Sequence, residues 1–168
     1  YKEHGIPAAF VGHPLKEKVK TRLGREEFFK KYSLPSASRL IALLPGSRKT
    51  EIKNNLPVLI QAVGRMKKDI PAIFLLILAE SLERDYVGRF VPSQETDIQV
   101  LDEDRYEAIA YSDLALSACG TANLEAALLG TPVIAFYRVS PLTYYPFRRL
   151  LKICNYSIVN ILAGKRII

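Results

Sequence analysis

Short apolar runs alternate along this chain with longer stretches of helical period, and that alternation restricts the possible folds more than any other feature. Arg39–Leu44 (RLIALL) is apolar at consecutive positions, the pattern of a strand buried on both faces. Behind it Ile52, Leu56, Leu59, Ile60, Val63 and Met66 recur close to helical spacing, which predicts a helix over Glu51–Lys68. A strand over Ala72–Ala79 and a helix over Ser81–Phe90 follow, then a strand over Ile98–Leu101 and a helix over Arg105–Ala110. Asp113–Ser117 reads as the next strand and Ala122–Leu129 as its helix, with Gly130 suited to a left-handed cap, before a last strand over Pro132–Phe136. Strands apolar on both faces and separated by helices predict a doubly wound α/β domain, a parallel sheet with helices on both faces.

The flanks are less regular. Ala8–Val11 is a further candidate strand, Gly12-His13-Pro14 a turn, and Leu15–Tyr32 a charged helical segment carrying Phe28 and Phe29. Ser140-Pro141 has the form of an N-cap with proline in the first turn, opening a helix that Pro146 would kink.

With 168 residues the chain suits one domain, and 49% hydrophobic with 24% charged residues excludes the disordered and fibrous classes. Its longest apolar run, Ile70–Ala79, is held between Asp69 and Glu80, whereas a membrane-spanning helix needs about 20 such residues. Two cysteines, Cys119 and Cys154, make no disulfide framework, and without a leader pattern at the start a reducing cytosol is expected. The start at Tyr1 and the stop inside an apolar stretch lead us to expect a segment of a longer protein.

The net charge of +7 is concentrated. From Thr131 onward there is no Asp or Glu, while Arg138, Arg148, Arg149, Lys152, Lys165 and Arg166 are interleaved with Tyr144, Tyr145, Phe147 and Tyr156. Such a segment, 138–168, can lay aromatic groups at a lipid boundary while its cations meet anionic headgroups; a solvated basic face is the other reading. Nucleic acid is not expected, since no recognised binding signature accompanies the charge.

In open α/β sheets ligands bind beyond the carboxyl ends of the strands. Two loops there could hold an anion. Pro45-Gly46-Ser47-Arg48 follows the RLIALL strand: Gly46 permits close backbone approach, Ser47 brings a hydroxyl, Arg48 a forked cation, and the helix start should present amides. Cys119-Gly120-Thr121 follows another strand and opens a helix whose small residues leave its N-terminus accessible to a diphosphate. Glu125, one turn further, is either an acceptor for ribose hydroxyls or an acid favoured by the helix dipole. Cys119 is read as a packing residue rather than a nucleophile, because no histidine is placed near it by sequence. His4 and His13 with no H-x-x-x-H, C-x-x-C or carboxylate cluster make a metal unexpected, and Asp102-Glu103-Asp104 reads as a helix cap. Together the two loops favour a nucleotide diphosphate.

The chain resembles the lipid-A-disaccharide synthases. The resemblance is carried by Val11-Gly12-His13-Pro14-Leu15, Leu43-Leu44-Pro45-Gly46-Ser47-Arg48 with Glu51, Gly120-Thr121-Ala122 with Leu124-Glu125, Gly130-Thr131-Pro132, Tyr137-Arg138, and Asn160-Ile161-Leu162-Ala163-Gly164, in the family's order over nearly the whole chain. It implies the Rossmann-like donor lobe of a two-lobed GT-B glycosyltransferase, with residues 1–14 as the inter-lobe connection and 15–168 as the nucleotide-sugar lobe, truncated at both ends. It implies UDP-2,3-diacylglucosamine as donor and 2,3-diacylglucosamine 1-phosphate as acceptor, UDP released, a β-1,6 bond formed with inversion, and no cofactor. The catalytic base would lie on the N-terminal lobe, outside this chain, and the location would be the inner face of the inner membrane. On these terms Ser47, Arg48 and the Gly120 and Thr121 amides meet the diphosphate, Glu125 meets the ribose, Arg138 and Asn160 line the same cleft, and Gly46, Glu51 and Cys119 belong to the same UDP-sugar site. The chain departs from the family pattern at Cys119, where serine is usual, at Asn123, where threonine is usual, and at Val159, where proline is common. A different UDP-sugar enzyme, such as an epimerase or another glycosyltransferase, and a non-catalytic nucleotide-binding module are the alternatives.

Overall fold

A computed structural model describes residues 4–7, 9, 11–91, 98–138, 157–165 and 167. Over these residues the elements run α1 Leu15–Lys18, α2 Arg25–Lys31, β1 Arg39–Leu44, α3 Lys49–Met66, β2 Ala72–Ile77, α4 Arg84–Gly88, β3 Ile98–Leu101, α5 Arg105–Ala110, β4 Leu114–Ala118, α6 Thr121–Leu128, β5 Val133–Phe136 and α7 Ile158–Ala163. The five strands form one sheet in the order β3-β2-β1-β4-β5, and every pairing is parallel. The doubly wound α/β expectation holds.

Alternation along β1 shows why helices are needed on both sides. Leu40, Ala42 and Leu44 pack with Phe28, Ile109 and Ala126 on one face. Ile41 and Leu43 pack with Ile52, Leu56, Leu59 and Val63 of α3 on the other. A strand flanked on both faces by core has no solvent side to reserve for polar residues, hence the unbroken apolar run. The α3 stripe at spacings of three and four residues keeps that helix seated even though Pro57 removes one intrahelical hydrogen bond.

Three expectations are corrected. The segment Leu15–Tyr32 is not one helix: α1 stops at Lys18 and α2 begins at Arg25. The reason is a distant partner, because the buried Glu107 carboxylate of α5 accepts the backbone N–H groups of Arg22 and Leu23. A continuous helix would have used those amides internally. The helix after β2 is shorter than Ser81–Phe90, since Ser81 turns its hydroxyl to the carbonyl of Ser47 at 2.8 Å instead of entering the helix. Ala9 and Val11 carry no strand, while Ala8 and Phe10 of the same expected strand lie outside the described residues. The expected helix start at Ser140-Pro141 also lies outside them. Gly130 does sit just past α6 with φ +79°, in the left-handed region expected of it.

Candidate functional site

In this strand order the chain leaves β1 towards β2 on one side and leaves β4 towards β5 on the other, so a topological switch point lies between β1 and β4. The two strands pair directly, with Leu44 opposite Ser117. The bends at Pro45–Arg48 and Cys119–Thr121 therefore rise side by side from the carboxyl edge of the sheet. A single anion could reach both bends only in such an arrangement.

The first bend is rigid. Gly46 has φ +126°, and a Cβ there would stand 2.4 Å from Glu51 Oε2 and 2.6 Å from Glu51 Cβ, so only glycine fits on both conformational and steric grounds. Asn55, buried on α3, donates from Nδ2 to the Pro45 carbonyl at 2.8 Å. Tyr86 on α4 donates to the Lys49 carbonyl at 3.2 Å. Glu51 Oε2 accepts the backbone N–H of Ser47 at 2.7 Å and of Arg48 at 3.2 Å, which folds the bend back on the start of α3.

This corrects the expectation that the α3 start offers those amides to an anion: a carboxylate from the same chain already holds them. Glu51 thus braces the bend. What the first bend offers is its side chains, the Ser47 hydroxyl and the Arg48 guanidinium, which is 79% exposed and, among the described residues, is held by a 3.6 Å contact with Glu51 Oε1. A phosphate would compete well for so exposed a cation.

At the second bend the backbone itself is the donor. Gly120 is the N-cap of α6 with extended backbone at φ 174°, and among the described residues a Cβ there would find nothing nearer than the Ala118 carbonyl at 4.0 Å. The absent side chain leaves room above the helix end instead of relieving strain. Thr121 opens the helix exposed, and no acidic residue lies in the first turn, so the positive end of the dipole is not neutralised there.

The Cys119 amide extends the sheet by bonding the Phe136 carbonyl at 2.9 Å. Burial pushes its thiol up from the ordinary value, against a smaller opposing effect of a hydrogen bond with Asn123. A raised thiol is a poor nucleophile at neutral pH, in keeping with a packing role. We expect iodoacetamide to label Cys119 more slowly than a cysteine in an unstructured peptide at neutral pH, with the difference closing as pH rises, measured by mass spectrometry of the peptide containing it.

The other residues expected at the site lie on α6, just after β5 and on α7. Glu125 is 12% exposed and takes both the Nε and Nη2 donors of Arg105 on Oε2. Arg138, exposed just after β5, leans over α3 with Nη1 3.4 Å from the Asn54 carbonyl. Asn160 lies on α7, which packs on α6, and its Oδ1 accepts the Ile167 amide at 2.7 Å, closing its own chain segment. Arg105, Asn55 and Glu107 were missed by sequence reasoning, because each acts on a partner that spacing along the chain does not indicate. Arg105 also lines a cavity of about 230 Å³ with Tyr106, Asp102, Glu80, Arg22 and Lys20. Among the described residues no group of three or more His, Cys, Asp or Glu is placed to hold a metal ion.

Comparison with known proteins places the chain in a family. A family model described as lipid-A-disaccharide synthetase matches residues 1–168. The lipid-A-disaccharide synthase of Solibacter usitatus is 38% identical over 174 residues, covering 100% of this chain and 44% of the relative. That of Geobacter sulfurreducens is 35% identical over 169 residues with the same two coverages, 100% and 44%. The chain thus spans under half the length of these curated relatives. Among solved structures, WaaG, a glycosyltransferase involved in lipopolysaccharide biosynthesis, aligns with TM-score 0.51 at 16% identity over 73% of this chain and 35% of its own. A glycosyltransferase from Rickettsia africae aligns with TM-score 0.52 at 22% identity over 74% of this chain and 33% of its own. These two likenesses concern the fold.

Proposed function

The chain belongs to the lipid-A-disaccharide synthase family, and from that premise we propose that it is the donor lobe of such an enzyme, binding UDP-2,3-diacylglucosamine for transfer to 2,3-diacylglucosamine 1-phosphate. Residues 1–14 are then the connection to the acceptor lobe and 15–168 the nucleotide-sugar lobe. The observation that supports the reading is the pairing of β1 with β4, from whose carboxyl ends the bend bearing Arg48 and the bend opening α6 both leave the sheet at the switch point.

The chemistry follows from that pair. As the acceptor hydroxyl attacks the anomeric carbon, the bond to the phosphate oxygen breaks and negative charge grows on the departing UDP. Arg48, Ser47 and the amides at Gly120 and Thr121 would stabilise that charge where it develops. Glu125 would accept the ribose hydroxyls, and the cavity beside Arg105 and Tyr106 would take the base. Arg138 would add a cation at the cleft edge, and Asn160 would act through its closure of the α7 segment. The base that deprotonates the acceptor would lie outside this chain, so the 168-residue chain alone should bind UDP and form no disaccharide. A membrane-facing role for the basic segment draws support from the exposed Tyr137, Ile161 and Leu162 beside Arg138 and Lys165, although residues 139–156 of that segment lie outside the described ones.

Titration of the chain with UDP tests the site. Arg48→Ala is expected to weaken binding about ten- to hundredfold, the loss of a charge-assisted phosphate contact. Gly120→Val should abolish most binding while leaving the unfolding midpoint near that of the parent, because its side chain enters the space a diphosphate needs. Equal affinity for all three proteins removes the assignment.

A further inference from the structure

The Glu125 carboxylate is oriented by a neighbour that itself needs orienting. Arg105 Nε and Nη2 donate at 2.9 and 2.7 Å, and both bonds fall on Oε2. A planar fork closing on one oxygen anchors Oε2 and keeps Arg105's pull off Oε1. Arg105 is the first residue of α5, and Asp104 before it has φ 48° and ψ 40°, a left-handed conformation that few side chains tolerate. Asp104 does not cap α5 with its side chain. Its Oδ2 accepts instead from Lys31 Nζ at 2.6 Å and from the Tyr32 hydroxyl at 2.9 Å, while Glu103 draws the same lysine at 3.0 Å. Burial and the Asp104 contact raise the Tyr32 hydroxyl to about 12, so it stays a donor across the neutral range. The end of α2 therefore pins the bend from which Arg105 projects towards α6.

We propose that Arg105 is a positioning residue for nucleotide recognition: held by the left-handed bend at Asp104, it clamps Glu125 through Oε2 so that Oε1 is presented to the ribose hydroxyls. The proposal rests on the donor-site reading above and deepens it, assigning to the Arg105–Glu125 pair the discrimination of a ribonucleotide from a deoxyribonucleotide. Vicinal hydroxyls need an acceptor at fixed distance and plane, and a carboxylate free to rotate offers that geometry only part of the time.

The test measures affinities of the 168-residue chain for UDP, 2′,3′-dideoxy-UDP and UMP by calorimetry. The parent is expected to prefer UDP over the dideoxy analogue about tenfold. Glu125→Gln and Arg105→Ala should each reduce that preference to about twofold or less, with the UDP-to-UMP ratio unchanged, and Arg105→Lys, which keeps the charge but not the fork, should fall between. Because Arg105→Ala leaves a partly buried carboxylate without its partner, the lysine variant guards against simple misfolding. An undiminished preference in both Arg105 variants overturns the proposal. So does a change confined to the UDP-to-UMP ratio, which would make Arg105 a phosphate ligand. If Glu125→Gln keeps the preference, the ribose assignment fails while the diphosphate reading stands; if the parent does not bind UDP, the donor-site reading fails and this proposal with it.

Discussion

Gly46→Ala is expected to destabilise the chain by about 2–4 kcal/mol and to take UDP binding with it. Two independent effects add at this position. The backbone lies at φ +126°, where an L side chain is strained. The new methyl also meets Glu51, whose Oε2 and Cβ would be 2.4 and 2.6 Å away. Relief by swinging Glu51 aside would release the Ser47 and Arg48 amides it holds, so either response loosens the bend. Urea unfolding measures the first effect and calorimetry with UDP the second. Gly120 provides the contrast, since its extended backbone accepts any residue and its Cβ position is open; there, substitution should harm binding alone. A Gly46→Ala protein within about 0.5 kcal/mol of the parent would show that the bend is not built as described.

Glu107→Ala should cost about 3 kcal/mol. This glutamate is 4% exposed and bonds the backbone N–H groups of both Arg22 and Leu23. Truncation leaves two amides without their acceptor and frees the segment between α1 and α2 from α5. Glu107→Gln should be milder, because the amide oxygen still accepts but without the charge. Hydrogen exchange supplies the specific readout: the amides of Arg22 and Leu23 should lose protection in the alanine variant, while those of β1 change only as far as global stability requires. Unchanged protection at residues 22 and 23 would remove Glu107 from this role.

Arg39–Leu44, Ile98–Leu101 and Arg105–Ala110 were legible in the sequence with their observed bounds. Each is an element whose pattern of burial is written into consecutive residues. The break between α1 and α2 was not legible, because the charged, helical period of Leu15–Tyr32 carries no trace of a carboxylate more than eighty positions away. Nor was the fate of the Ser47 and Arg48 amides. The three-residue spacing from Arg48 to Glu51 lets the carboxylate reach back, yet the residues alone leave open whether those amides bind their own glutamate or an external anion.

The same contrast separates the two halves of the candidate site. Gly46-Ser47-Arg48 and Gly120-Thr121 could be picked out as anion-ready bends from residue type and from their position after apolar runs, since conformational freedom, charge and helix-end polarity are local properties. Sequence alone also determined the layering, for strands apolar on both faces leave no other economical cover than helices on each side. Only the tertiary structure decided that β1 and β4 are neighbours, that Glu51 turns inward, and that Arg105 grips Glu125. Such choices depend on which distant groups reach one another once the core has closed, and a pairing across the fold has no periodicity along the chain by which it could be read.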